Sequence, residues 1–259
     1  MPQTPAFDDL LDLIQDRSAA LRDSVAESVG VTGSPGLEAR VPGCPDWTLR
    51  DLVEHLAQVQ RFWAAAVAAG PGEKPPPQAP APEPAGGALS VDLLGRSAAA
   101  TQELIAALRA AGPAAGCWTW WADAGVPATS EAVARHQVQE AAVHAFDAQL
   151  AAAAPRPVPT AVALDGIAEF LDVSHGTAGP WPHEPVVVGL HTDEGRSWLV
   201  DLTASGSRVV DGPRETSAAL YGPASDLLLT LHSRLPLTGL RGEGDRATLE
   251  NLLRLPDLD

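Results

Sequence analysis

The chain has 259 residues, 45% hydrophobic and 19% charged, a globular balance with room for one large domain or two small ones and unlike that of a disordered chain. Its formal net charge is −16, Lys74 is the one lysine and the arginines are scattered singly, so no basic face exists for nucleic acid. Two distant cysteines, Cys44 and Cys117, build no disulfide framework, and no apolar stretch approaches the roughly 18 residues of a membrane span, which excludes a disulfide scaffold and a spanning helix.

In chain order, the acidic start MPQTPAFDDLLDLIQDR lacks the basic, then apolar, build of a signal peptide, and the expected compartment is the cytoplasm. Residues 7–28 predict a first helix, with Phe7, Leu10, Leu11, Ile14, Leu21 and Val25 recurring at three and four. The stretch from Gly30 to Trp47, rich in glycine and proline, reads as a loop. Thr48 followed by Asp51 forms a capping box that opens a second helix, whose inward stripe is Leu49, Leu52, Leu56, Val59, Trp63 and Val67. Residues 70–88 are too proline-rich for helix or central strand and read as a long solvated connector between helices. Val91 to Ala111 predicts a third helix. A fourth opens at Pro127 or Thr129 and runs to about Ala154. Four helices imply a bundle, a fold that houses metals between facing helices.

PRPVPT at 155–160 marks the expected boundary between domains 1–154 and 155–259. Beyond it come a helix over 161–173 and strand-type runs from Val186, Ser197, Ser207 and Ser217. Helices from Ala224 to Arg234 and from about Asp245 to Leu253 follow, which predicts a small α+β domain and an overall α+β class.

The segment RHQVQEAAVHAFDAQ spaces His136, Glu140 and His144 four residues apart, with Asp147 three further on, so the four form a polar ladder on one helix. Glu140 and His144, about 6 Å apart along the axis, can reach one ion, whereas His136 and His144, about 12 Å apart, cannot share a tetrahedral site. A third ligand must come from another helix, and His55 is the natural candidate. Two histidines and one carboxylate leave a coordination position open, as catalytic zinc sites do. From spacing alone, an ordinary i,i+4 pair and a partly buried histidine explain the same residues.

The segment VPGCPDWTLRDLVEHLAQV at 41–59 resembles the N-terminal signature of the mycothiol-dependent maleylpyruvate isomerase family, within the DinB-like four-helix bundles. QEAAVHAFDAQ at 139–149 resembles that family's second signature, and GPASDLLLTLHSRLPLTGLRGEGD at 222–245 its sterol-carrier-like C-terminal domain. The resemblance implies a divalent metal, zinc being the expected ion, on His55, Glu140 and His144, with mycothiol as thiol cosubstrate and a small electrophile as partner. It further implies a substrate-anchoring arginine, matched by Arg234, which an arginine capping its own helix C-terminus explains equally. Gln139, where the family often has histidine, Ala145, where a basic residue is common, and the proline-rich insertion depart from the pattern and leave the substrate open. The competing readings are a non-catalytic binding module that kept the bundle, and a thiol-independent metal hydrolase.

Other residues carry weaker signals. His136 reads as a solvated or supporting group, and Asp147 as either an orienting partner of His144 or a structural ion pair. Trp118, Trp120 and Trp121 fit core or loop packing, or a pocket wall. His175, His183, His191 and His232 share no spacing and read as surface or packing residues, and GEGD near 242 lacks the GK[ST] of a phosphate loop.

Overall fold

The computed structural model describes residues 4–33, 35–77, 89–122 and 125–256. The chain divides into two compact units: Met1–Trp120 with Pro127–Arg156, and Trp121–Val126 with Pro157–Asp259.

The first unit is a four-helix bundle. α1 (Phe7–Gly30) buries Leu10, Leu11, Ile14, Leu21 and Val25, the stripe its periodicity predicts. α2 (Leu49–Ala69) starts at the expected box: the Asp51 amide donates to Thr48 Oγ1 and the Thr48 amide to Asp51 Oδ2 at 2.8 Å, satisfying amides that the helix start would leave unpaired. Thr48→Ala should therefore cost about 1 kcal/mol, visible as a lower melting temperature. α3 (Leu89–Ala111) packs on α2, and α4 (Ser130–Ala151) on α1. The helices are also tied by buried polar groups: Gln60 of α2 donates to Ser18 of α1 at 2.8 Å and accepts from Thr101 of α3 at 2.9 Å. Such pairing recovers most of the cost of burying an amide.

Two expectations in this unit are corrected. The stretch from Gly30 to Trp47 is not all loop, because it holds a 3-10 turn and a hairpin of β1 (Arg40–Val41) and β2 (Cys44–Thr48) that feeds straight into α2. α4 ends at Ala151 rather than near Ala154: Ala153 turns left-handed (φ 58°), and the amides of Ala153 and Ala154 return to the carbonyls of Leu150 and Gln149. Pro155 then forbids continuation. Residues 78–88 of the expected connector lie outside the described residues.

The second unit is an α+β domain. α5 (Thr160–Asp172) and the short α6 (Ser174–Thr177) precede β3 (Val186–Thr192), β4 (Ser197–Thr203), β5 (Gly206–Val210), β6 (Ala218–Gly222), α7 (Ala224–Leu231), β7 (Arg241–Gly244) and α8 (Arg246–Arg254). The sheet order is β5-β4-β3-β6-β7, with β3 and β6 parallel and the other neighbours antiparallel. Val188, Leu190, Val200, Leu202, Ala218 and Leu220 alternate into the buried face.

β7 went unforeseen because RGEG has no strand-type side chains. Its Gly244 is required: a Cβ there would lie 2.2 Å from the Ser217 carbonyl oxygen, at φ +77°. α7 stops at Leu231, three residues before the expected end, through the same left-handed exit as α4, here at Ser233 (φ 59°). No helix among the described residues is long and apolar enough to cross a membrane.

Candidate metal centre

The capping box fixes where α2 begins and so sets His55, seven residues on from Thr48, at a defined height and face. From α4, Glu140 and His144 project one turn apart. The two helices bring the three together: Glu140 Oε1 lies 3.1 Å from His55 Nε2 and 3.3 Å from His144 Nε2. One donor atom from each side chain falls within 4.8 Å of the others. Ligand bonds of about 2.0–2.2 Å in a tetrahedron hold donors roughly 3.3–3.6 Å apart, so both Glu140 pairs are within a few tenths of an ångström of sharing an ion. Two imidazoles and a carboxylate are also the right donor chemistry for a borderline-soft divalent cation. The residues fit.

Electrostatics shows what binding must overcome. Burial alone would raise the Glu140 carboxyl, but the charge of His144 and hydrogen bonds from His144 and His55 outweigh it and hold the group well below the usual carboxylate range. Burial would likewise lower His144, yet the charge of Glu140 and the hydrogen bond to Asp147 raise it to about 9. At neutral pH the metal-free triad is thus an internally paired cluster carrying a proton on His144. A cation taken up here would have to expel that proton, so metal uptake would release acid.

Asp147 is fully buried, and its Oδ2 accepts from His144 Nδ1 at 2.9 Å. That bond fixes the ring and leaves Nε2 as the atom facing Glu140 and His55. Asp147→Asn should weaken metal affinity about 10–100-fold in a competition titration against a chromophoric chelator. Unchanged affinity would reduce Asp147 to a structural partner.

Sequence reasoning missed Trp47. Its ring centroid lies 4.6 Å from that of His55 and 6.1 Å from that of His144, so the hairpin that carries it supplies an apolar flank to both imidazoles. The available signal was its place in the 41–59 motif, directly before the cap.

The remaining candidates fall elsewhere. His136 stands apart from the triad, between the rings of Trp63 and Trp120. Trp121 is fully buried and serves as core. Cys44 and Cys117 are not joined by a disulfide, and burial pushes the Cys117 thiol up to about 11, which makes it a poor nucleophile. Arg234 belongs to the second unit, just past α7 rather than on it: its amide donates to Leu229 O at 2.7 Å and its Nη1 to His232 O at 2.8 Å.

Comparison with known proteins agrees with this architecture. The family model described as the mycothiol maleylpyruvate isomerase N-terminal domain matches residues 18–149, and that described as the MDMPI C-terminal domain matches residues 161–251. Among solved structures, the chain is similar to a histidine-to-alanine mutant of the mycothiol-dependent maleylpyruvate isomerase, with 13% identity, 92% of this chain and 93% of that chain covered, and a TM-score of 0.61. A second structure of the mycothiol-dependent maleylpyruvate isomerase gives 12% identity over the same shares and a TM-score of 0.58. At such identity the likeness speaks for the fold. No curated protein matches the chain.

Proposed function

Because the chain belongs to the mycothiol maleylpyruvate isomerase family, we propose that it is a metalloenzyme that adds a low-molecular-weight thiol, mycothiol, to an electrophilic small molecule. The observation that carries this reading is the convergence of His55, Glu140 and His144 from two helices, one donor atom from each within 4.8 Å of the others. Zinc is the ion proposed, since two imidazoles and one carboxylate make an open catalytic set. When bound, a divalent cation supplies the charge that brings a thiol of ordinary pKa near 8.5 into its thiolate form at neutral pH.

The chain's own groups provide the setting. Asp147 fixes the His144 ring, and Glu140 stays anionic beside both histidines. Trp47 lies against the imidazoles and limits water on its side. With an electrophile in place, the thiolate sulfur adds to one carbon of an activated double bond. For a cis-configured enedione, the resulting single bond rotates, and expulsion of the thiolate restores the alkene in trans form. Where expulsion does not follow, a proton adds to the neighbouring carbon and the S-conjugate is the product. Arg234 is proposed to pair with a carboxylate of the substrate, as a guanidinium suits bidentate binding.

The test is thiol consumption against a panel of electrophiles, with and without a chelator. Turnover should require both thiol and metal, and Arg234→Ala should raise KM for carboxylate-bearing electrophiles roughly tenfold or more at unchanged metal content. Turnover without thiol would overturn the proposal in favour of hydrolysis.

A further inference from the structure

The two imidazoles of the candidate metal centre are held in different ways. The His144 side chain is 7% exposed, and its Nδ1 donates to the buried Asp147 carboxylate, so a hydrogen bond stands behind the ring. His55 has no such support. Its side chain is 32% exposed, its Nε2 faces Glu140, and its other ring nitrogen has no hydrogen-bond partner among the described residues. A histidine that binds a metal almost always donates from its second nitrogen, because that bond fixes the tautomer and the ring orientation. With that bond missing, packing is what keeps the His55 ring in place.

The packing comes from two rings. The Trp47 indole lies 4.6 Å from the His55 ring at an interplanar angle of 47°, and the His144 ring lies 5.0 Å away, edge-on at 81°. His144 belongs to the candidate ligand set, so Trp47 is the ring contact of His55 from outside that set among the described residues. Trp47 is itself fixed by its neighbours in the chain. The Asp46 carbonyl accepts from Arg40 Nη1 at 3.1 Å, the Thr48 amide donates to Asp51 Oδ2 at 2.8 Å, and the Leu49 amide donates to Ala39 O at 2.9 Å. The indole packs on the core cluster that includes Val41, Leu49 and Ala145. A ring with its backbone tied on both sides and its body against the core has little freedom, and it can hold a less constrained neighbour.

We propose, building on the metal-binding role above, that Trp47 is the positioning residue of His55. Its indole does by packing what the Asp147 carboxylate does for His144 by hydrogen bonding. The two imidazoles are then unequal donors. A carboxylate behind an imidazole raises its basicity, and His144 has one; an indole beside an imidazole supplies no charge, and His55 is the weaker base. A weaker donor on one side neutralises less of a cation's charge and leaves more of it for an incoming thiol. Trp47 thus keeps His55 in the ligand set without making it a second strong donor.

The test uses the full chain titrated with cobalt(II), a spectroscopic substitute for zinc. Trp47→Phe keeps a ring at the position, and Trp47→Leu keeps apolar bulk without one. In competition with a chromophoric chelator, Trp47→Leu should bind cobalt roughly three- to tenfold more weakly than wild type, and Trp47→Phe within about twofold of it. At saturation the visible cobalt absorption of Trp47→Leu should be weaker, because a ring that turns away no longer completes a tetrahedral set, whereas Trp47→Phe should keep the wild-type spectrum. Cooperative melts by circular dichroism should show that both variants fold. A folded Trp47→Leu with wild-type affinity and spectrum would overturn the proposal and leave Trp47 as core packing alone. Equal losses in the two variants would also overturn it, since the effect would then follow bulk and not the ring. A second measurement needs no variant: in proton NMR of the metal-free wild type, the His55 ring protons should show ring-current shifts and cross-peaks to Trp47. Unshifted His55 signals without those cross-peaks would overturn the proposal whether or not the variants fold. The two readings fail separately: wild type that binds no cobalt removes the metal centre and this role together, whereas wild-type binding with an unaffected Trp47→Leu removes this role alone.

Discussion

His144→Ala is expected to purify with little metal and to lose thiol-dependent turnover. The change removes a proposed ligand atom and also leaves Asp147, fully buried, without the imidazole it accepts from. The affinity loss should exceed the roughly 10–100-fold typical of losing a supporting contact behind a ligand. His55→Gln is the companion variant, because His55 is half-buried and its replacement disturbs packing less. It should also lose metal while keeping a cooperative melt. Elemental analysis of both proteins, with circular dichroism to confirm folding, measures the effect. Full metal occupancy in folded His144→Ala would remove the residue from the ligand set.

Acidification should destabilise the second unit through His175, in a way independent of any metal. This imidazole is fully buried, its neighbour is the Phe170 ring at 5.5 Å, and neither ring nitrogen has a hydrogen-bond partner among the described residues. Burial lowers its pKa from 6.5 to about 4. Because the folded value lies below the unfolded one, the unfolded chain binds the proton more readily between those limits. Stability is therefore fully present above about pH 6.5 and falls as pH drops toward 4. The fall from 6.5 to about 4 corresponds to on the order of 3 kcal/mol, or roughly 10 °C in melting temperature. His175→Leu should flatten the melting curve's dependence on pH over that window. Parallel pH profiles for wild type and variant would contradict the assignment.

What the sequence could reveal depended on how local the physics is. The Thr48–Asp51 box, the stripe of α1 and the turn-spaced Glu140 and His144 are set by contacts within a few residues, and they read correctly from the chain. His55 is 85 residues from Glu140, and spacing offered it only as a candidate from another helix until its place in a recognisable motif linked the two. The ends of α4 and α7 were misplaced because their left-handed exits use Ala153 and Ser233, where glycine would have announced them. β7 escaped notice because an exposed edge strand of RGEG needs hydrogen bonds to β6 and no apolar side chain. Trp47 was invisible for a related reason. Its significance lies in which rings it packs beside, and that is not a property of sequence spacing.

A single cation held by two imidazoles and a carboxylate is tested most directly by anomalous X-ray scattering from crystals of the metal-loaded protein, recorded on both sides of the zinc absorption edge. A single peak is expected about 2.0–2.2 Å from His55 Nε2, His144 Nε2 and a Glu140 carboxylate oxygen, with no fourth protein ligand. No peak at that position, or one closed by a further side chain, would contradict it.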